Sequence, residues 1–271
     1  MTENEVAPIL AGKHYDAPSA FTPESLLREA RRQKSASIQP VPDVCLLDPD
    51  GDIVRRFKAE GRARRHEEWV CYHTDLHVFE ESGLTLGVVG CAVGSSFAVV
   101  VAEELFVSGC RLLISMTSSG QITPVGAPPY FVLIDRALRD EGTSYHYLPP
   151  TPYSDAPAAL LRKLDGAFDD LPVPVLRGPT WTTDAPFRET EEAIEGMHQR
   201  GLLAVEMEAA ALYAFAKARG KSIVCFAHVT NQLGRIDGDF EKGHADGTDD
   251  ALRIVVKTVQ RLNETDRLPF R

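Results

Sequence analysis

Two carboxylates, Glu206 and Glu208, stand two residues apart in the run Ala204–Tyr213 (AVEMEAAALY), at the head of an alanine-rich stretch with helical spacing. Glu208, Leu212 and Phe215 recur at i, i+4 and i+7, which predicts one helix face with Met207, Ala211 and Ala214 on the neighbouring stripe. An acid at the head of an apolar stripe needs a partner, because an unpaired buried charge is costly, and the hydroxyls of a sugar are one candidate. Compensation of the helix dipole accounts for an acid at a helix start equally well, and Glu206 suits that role. The spacing leaves both open.

Three segments at the ends of expected strands carry further polar chemistry. Gly90–Ser96, with Gly94 at the head of a helix, offers free backbone N–H groups to an anion. Thr117, Ser118, Ser119 and Gly120 place hydroxyls suited to phosphate or sugar oxygens directly after a buried strand. Thr230, Asn231 and Gln232 present amides, each both donor and acceptor, to the edge of a heterocycle. Each segment is also an ordinary polar turn taken singly. His73, His77, His228 and His244 show no catalytic spacing, and no metal motif is present. The five cysteines contain no CxxC pair, which fits reduced, mostly buried thiols.

These residues need a scaffold, and 271 residues with 44% apolar and 25% charged content suffice for one large α/β domain. The net charge of −10 argues against nucleic acid or an anionic membrane as a general partner. No apolar run approaches the roughly 20 residues of a membrane span, and the N-terminus lacks a signal-peptide core, so a cytoplasmic protein is expected. Residues 1–40 read as an arm, a possible oligomer contact, with a helix over Pro23–Gln33; residues 41–271 read as a single catalytic domain. Strands are expected at Val44–Leu47, Leu84–Val89, Leu112–Met116, Val173–Leu176 and Ile223–Val229, with an extended region over Glu68–Glu80. Helices are expected at Phe97–Val107, Pro128–Glu141, Ala156–Phe168, Glu189–Arg200, Val205–Arg219 and Thr248–Leu262. In open parallel sheets, ligands sit beyond the carboxyl ends of the strands, where the three polar segments fall.

The run Ala204–Tyr213 closely resembles the ribose-binding signature of the nucleoside phosphorylase superfamily that includes uridine phosphorylase and hexameric purine nucleoside phosphorylase. The order of Asp48-Pro49-Asp50, the Gly90 loop, the Thr117 loop, Thr182-Thr183-Asp184 and the Ile223 strand extends the resemblance over roughly residues 44–262. It implies a three-layer α/β/α sandwich around a mixed, barrel-like sheet, assembled as a homodimer or homohexamer. It also implies Met207, Glu208 and Glu206 as ribose contacts, and Phe187, Pro186, Thr183, Arg188 and Asn231 around the base. Gly94, Thr117, Ser118 and Ser119 become the pocket for phosphate or another nucleophile.

What the resemblance implies for chemistry is cleavage of the N-glycosidic bond by phosphorolysis, with Glu208 and Asn231 as the catalytic pair. Inorganic phosphate is then a co-substrate and no cofactor is expected. Breaking the bond makes the sugar cationic and loads electrons onto the base. Asn231 donates a hydrogen bond but no proton, which favours a 6-oxopurine or uracil as leaving group. The family's two phosphate-binding arginines are replaced by Ser115 and Gly51, leaving Arg55, Arg56, Arg188 or an arginine of another subunit as substitutes. A phosphate-independent nucleosidase and a non-catalytic nucleoside-binding homologue are the alternatives.

Overall fold

A computed structural model describes residues 6–234, 237–264 and 270. In chain order its elements are α1 (Pro23–Lys34), β1 (Val44–Asp48), α2 (Asp52–Ala59), β2 (Arg64–Arg65), β3 (Leu76–Glu81), β4 (Leu84–Gly90) and α3 (Ser95–Val107). There follow β5 (Leu112–Gln121), β6 (Tyr130–Asp140), β7 (Tyr153–Asp155), α4 (Ala158–Lys163), β8 (Val175–Thr183), α5 (Glu191–Gln199), β9 (Ala204–Glu206), α6 (Ala209–Arg219), β10 (Ser222–Asn231) and α7 (Thr248–Asn263).

All strands join one sheet, and five of them close on themselves. β5 pairs in parallel with β10, β10 antiparallel with β6, β6 in parallel with β8, β8 in parallel with β9, and β9 antiparallel with β5. Beyond the ring, β1 lies between β5 and β4, parallel to both, and the β3–β4 hairpin continues outward. β1 and β10 are buried almost throughout, as strands covered on both faces must be, which explains their continuous apolar sequences. The helices cover the sheet in groups: α1 packs on α3, α3 on α6, α4 on α7, and α2 on β1 and β4. The result is the expected mixed α/β architecture with a barrel-like centre.

Two expectations are overturned. Pro128–Glu141 is not a helix but contains β6, a long strand paired on β10, β8 and β7. Its Leu, Ala and Arg content favours helix locally, but a strand closing a barrel is enclosed on both faces, so no period-2 alternation marks it. The helix expected over Val205–Arg219 begins only at Ala209; Ala204–Glu206 is the barrel strand β9. Glu208 is therefore the residue capping α6, with φ −130° and ψ −38°, not a member of a Glu208–Leu212–Phe215 face. Smaller differences concern lengths. β5 runs on through Thr117–Gln121, so the hydroxyl residues belong to the strand, and only Leu76–Glu81 of the region from Glu68 is strand. α4 covers six residues of the helix expected over Ala156–Phe168, and β8 extends to Thr183.

Candidate active site

The site begins where β9 gives way to α6. Glu206, 3% exposed, ends β9 and accepts from the backbone N–H groups of Glu208 and Ala209, both at 2.7 Å. Thr180 Oγ1 donates to the same carboxylate at 3.2 Å, and Thr182 Oγ1 donates as well. Its partners are thus the orphan donors at the α6 N-terminus and two hydroxyls of β8, the pattern of a buried helix cap. Thr182 Oγ1 also accepts from Ala210 N–H at 3.0 Å, tying β8 to α6.

Glu208, 1% exposed, points toward the other strand ends. The Gly94 N–H donates to its Oε1 at 2.7 Å and Thr117 Oγ1 donates to its Oε2 at 2.9 Å. Gly94 adopts φ 91° at the head of α3, a conformation that side chains rarely take. Ser95 Oγ donates to the Met207 carbonyl at 2.8 Å, fastening the α3 start to the same junction. The loop after β4 and the middle of β5, distant in sequence from the β9–α6 junction, therefore meet on its carboxylate. Burial pushes the Glu208 pKa up to about 8, helped by the negative charges of Glu206 and Asp50 and opposed by its two donors. Burial raises Glu206 as well, against its four hydrogen bonds.

The β5–β10 register sets His228 opposite Ser118 and Asn231 opposite Gly120, so the expected hydroxyl and amide segments lie side by side. Ser118 Oγ and Thr230 Oγ1 are 3.0 Å apart, and the Ser119 hydroxyl is buried. The Asn231 amide is already engaged: Oδ1 accepts from Leu233 N–H at 2.9 Å, while Nδ2 donates to Thr230 Oγ1 at 3.1 Å and to the Ser119 carbonyl at 3.4 Å. Its Oδ1 shapes the turn that leaves β10. His228 stacks on Phe131 with centroids 4.3 Å apart, and burial lowers its pKa to about 4, which keeps it neutral.

A third group of acids escaped the sequence reading. Asp48 accepts from Gly51 N–H and Val54 N–H at 3.2 and 3.0 Å, capping α2, and burial raises its pKa to about 7. Asp50 Oδ2 accepts from the Ser118 N–H at 2.6 Å. Asp52 pairs with Arg55 at 2.8 Å and with Lys242. The Asp48-Pro49-Asp50 motif signalled a strand end, but only the pairing of β1 beside β5 brings Asp50 to Ser118.

The residues expected around the base on the β8 side lie in and before an exposed turn. Pro186, Phe187 and Arg188 form a short 3-10 turn after β8, with Phe187 99% exposed and Arg188 exposed. The apolar wall expected from Phe187 and Pro186 is thus not closed by this chain alone. Thr183 is buried, and its hydroxyl accepts from Ala185 N–H at 3.2 Å, which shapes this turn. Trp181 is core, its Nε1 donating to Asp140 at 2.9 Å. Of the substitute arginines, Arg55 is held by Asp52 and Arg56 by Glu60 and Asp249. At Gly51 an arginine would be strained: φ is 79°, and a Cβ would approach Cys91 Sγ to 2.5 Å.

The closed barrel and the two buried acids at the β9–α6 junction fit the fold that the resemblance implied, and comparison with known proteins agrees. The chain belongs to the phosphorylase superfamily, whose family model matches residues 43–264. It is 28% identical over 191 residues to a guanosine phosphorylase of Halorubrum lacusprofundi, covering 66% of this chain and 78% of that protein. It is 25% identical over 212 residues to a uridine phosphorylase of Thermococcus kodakarensis, covering 73% and 75%. Among solved structures, uridine phosphorylase from Vibrio fischeri ES114 shares the fold with a TM-score of 0.66 at 20% identity, covering 81% of this chain and 91% of that one. Among the described residues no helix is long and apolar enough to cross a membrane, and no cluster of His, Cys, Asp or Glu is arranged to hold a metal ion.

Proposed function

We propose that this protein is a nucleoside phosphorylase, cleaving the N-glycosidic bond with inorganic phosphate to give free base and ribose 1-phosphate. The observation that carries the reading is the Glu208 carboxylate, buried at the β9–α6 junction and held between Gly94 N–H and Thr117 Oγ1. On this reading Glu208 accepts hydrogen bonds from ribose hydroxyls, Met207 packs on the sugar, and Glu206 fixes the junction. The α3 start at Gly94 and the Thr117–Ser119 segment line the phosphate pocket, with the Gly94 N–H and the Thr117 hydroxyl shared with Glu208. Thr183 and Arg188 steady the departing base together with Asn231, whose Nδ2 must exchange its bond to the Ser119 carbonyl or to Thr230 for one to the base, while Phe187 and Pro186 supply an apolar wall.

The sugar becomes cationic as the bond breaks, so a nearby anionic Glu208 and an incoming phosphate both stabilise the transition state. The base leaves with extra electrons, and an amide donor serves a base whose charge spreads onto a carbonyl. Guanosine and uridine, named for the relatives, have such bases and are the first substrates to assay. The same reading expects a cytoplasmic homodimer or homohexamer, in which a second copy covers Phe187, and no cofactor beyond phosphate.

One observation favours a second reading, a nucleosidase using water: the Ser118 N–H is occupied by Asp50. A nucleoside panel assayed with and without phosphate separates the two. Phosphate-dependent base release with ribose 1-phosphate as product is expected. Full-rate release without phosphate would assign the hydrolase, and tight nucleoside binding without turnover would assign a binding protein.

A further inference from the structure

Ser118 lies in the strand whose hydroxyl residues form the proposed phosphate pocket, and its N–H is a donor an anion would use. That donor is taken internally by Asp50 Oδ2 at 2.6 Å. Asp50 follows β1, immediately before Gly51, whose positive φ turns the chain into α2. The charged and titratable groups around it come from every neighbouring element. Asp48 stands at the end of β1, Asp52 and Arg55 on α2, Lys242 after β10, and Glu208 at the α6 cap. His228 of β10 and Asp246 line the same cavity of about 20 Å³ with Asp50 and Ser118. Both nearby cations are directed to Asp52. A phosphate arriving at Ser118 therefore meets a carboxylate already bonded to the donor it needs, with acids behind it and, among the described residues, both neighbouring cations committed to Asp52.

We propose that Asp50 is an internal competitor of phosphate at the Ser118 amide and thereby sets the affinity and pH range over which the site accepts its anionic co-substrate. This rests on the reading of Thr117–Ser119 as the phosphate pocket. In the ionised state Asp50 both occupies the N–H and repels the anion. On taking up a proton it ceases to repel, releases the amide, and turns its own O–H into a donor for a phosphate oxygen. Burial raises the Asp50 pKa from the ordinary aspartate value, opposed by the Ser118 N–H, Lys242 and Arg55, which moves this exchange upward in pH. Anion affinity accordingly rises as pH falls. Asp50 acts here as a specificity-determining residue, requiring no step in bond cleavage.

The test is calorimetric titration of inorganic phosphate, and of sulfate, into wild type, Asp50→Asn and Asp50→Ala from the ordinary aspartate range up to alkaline pH. Sulfate keeps its charge throughout, so any pH dependence of its binding belongs to the protein. Both variants are expected to bind either anion roughly tenfold more tightly than wild type at the alkaline end, since like-charge juxtaposition disfavours binding, and Asp50→Asn is expected to converge with wild type at the acid end, where each presents a donor. The KM for phosphate should follow. Equal affinities in all three proteins at every pH overturn the inference, as does weaker or absent anion binding in the variants. Loss of turnover in Asp50→Asn at saturating phosphate also overturns it, by making Asp50 a group the reaction itself needs. Tighter anion binding in the variants of a protein that releases no base would leave the inference standing and remove the phosphorylase reading. Phosphate-dependent turnover with an unchanged phosphate KM in the variants would do the reverse. Near- and far-ultraviolet dichroism identifies folded variants, and the isosteric Asn change covers a failure of Ala to fold.

Discussion

The β9–α6 junction and the turn at Pro186–Arg188 flank the same β8 strand but are built to different standards. At the junction, Glu206 and Glu208 are almost fully buried and every carboxylate oxygen has a donor, three of the four from residues at least 24 positions away. At the turn, Phe187 is 99% exposed, and the surrounding hydrogen bonds join residues two or three apart. The first region is fixed by its own donors; the second presents an open ring held only by a local turn. A site can thus preorganise its charged end within one chain, where a buried anion without donors would be unstable, and leave its apolar end open, since one exposed ring costs little.

The contrast is most severely tested at Glu206. Glu206→Ala removes the acceptor of two backbone N–H groups and two hydroxyls, and an expected loss of about 4 kcal/mol follows from leaving such buried donors unpaired. Thermal unfolding should shift down by roughly 10 °C on that basis. A shift near zero would show that the junction is not held by this carboxylate.

Glu208→Ala should act on turnover more than on folding, because only two of its neighbours lose a partner. Two charge-assisted hydrogen bonds forgone with substrate amount to about 3 kcal/mol, or roughly a 100-fold fall in kcat/KM. Unchanged kinetics would remove Glu208 from the sugar site; unfolding would make it a structural acid like Glu206. Its pH behaviour gives a second reading. An acid whose pKa is higher folded than unfolded contributes stability below its ordinary value of 4.5, and that contribution disappears as pH rises through about 8. Thermal stability should therefore fall from about pH 5 to about pH 8, and less steeply in Glu208→Gln. Activity that needs the carboxylate ionised should rise over the same interval, and a kcat/KM profile flat through about pH 8 would contradict that need.

The smallest effect is expected at the open end. Phe187→Ala should leave thermal stability within about 0.5 kcal/mol of wild type, as for other exposed positions. It should raise the nucleoside KM roughly two- to tenfold, the worth of a stacking contact, with little change in the phosphate KM. A KM unaffected by the change would take the ring out of the base site.

The sequence by itself determined the family, most strand and helix positions, and the identity of the central acid, because AVEMEAAALY and the polar strand ends are local patterns. Buried strands such as β1 and β10 announce themselves as continuous apolar runs, and α1, α3 and α7 by capping and period. It did not reveal β6 or β9, whose helix-favouring residues become strands only because barrel closure supplies hydrogen-bonding neighbours on either side. For the same reason the spacing of Glu208, Leu212 and Phe215 suggested a face that does not exist, while the acid itself matters through donors 91 and 114 residues away in the chain. Only the tertiary structure decided that Asp50 reaches Ser118 and that the Asn231 amide is engaged in its own turn. A hydrogen bond between residues 68 apart leaves no mark on local composition, and strand order alone brings its ends together.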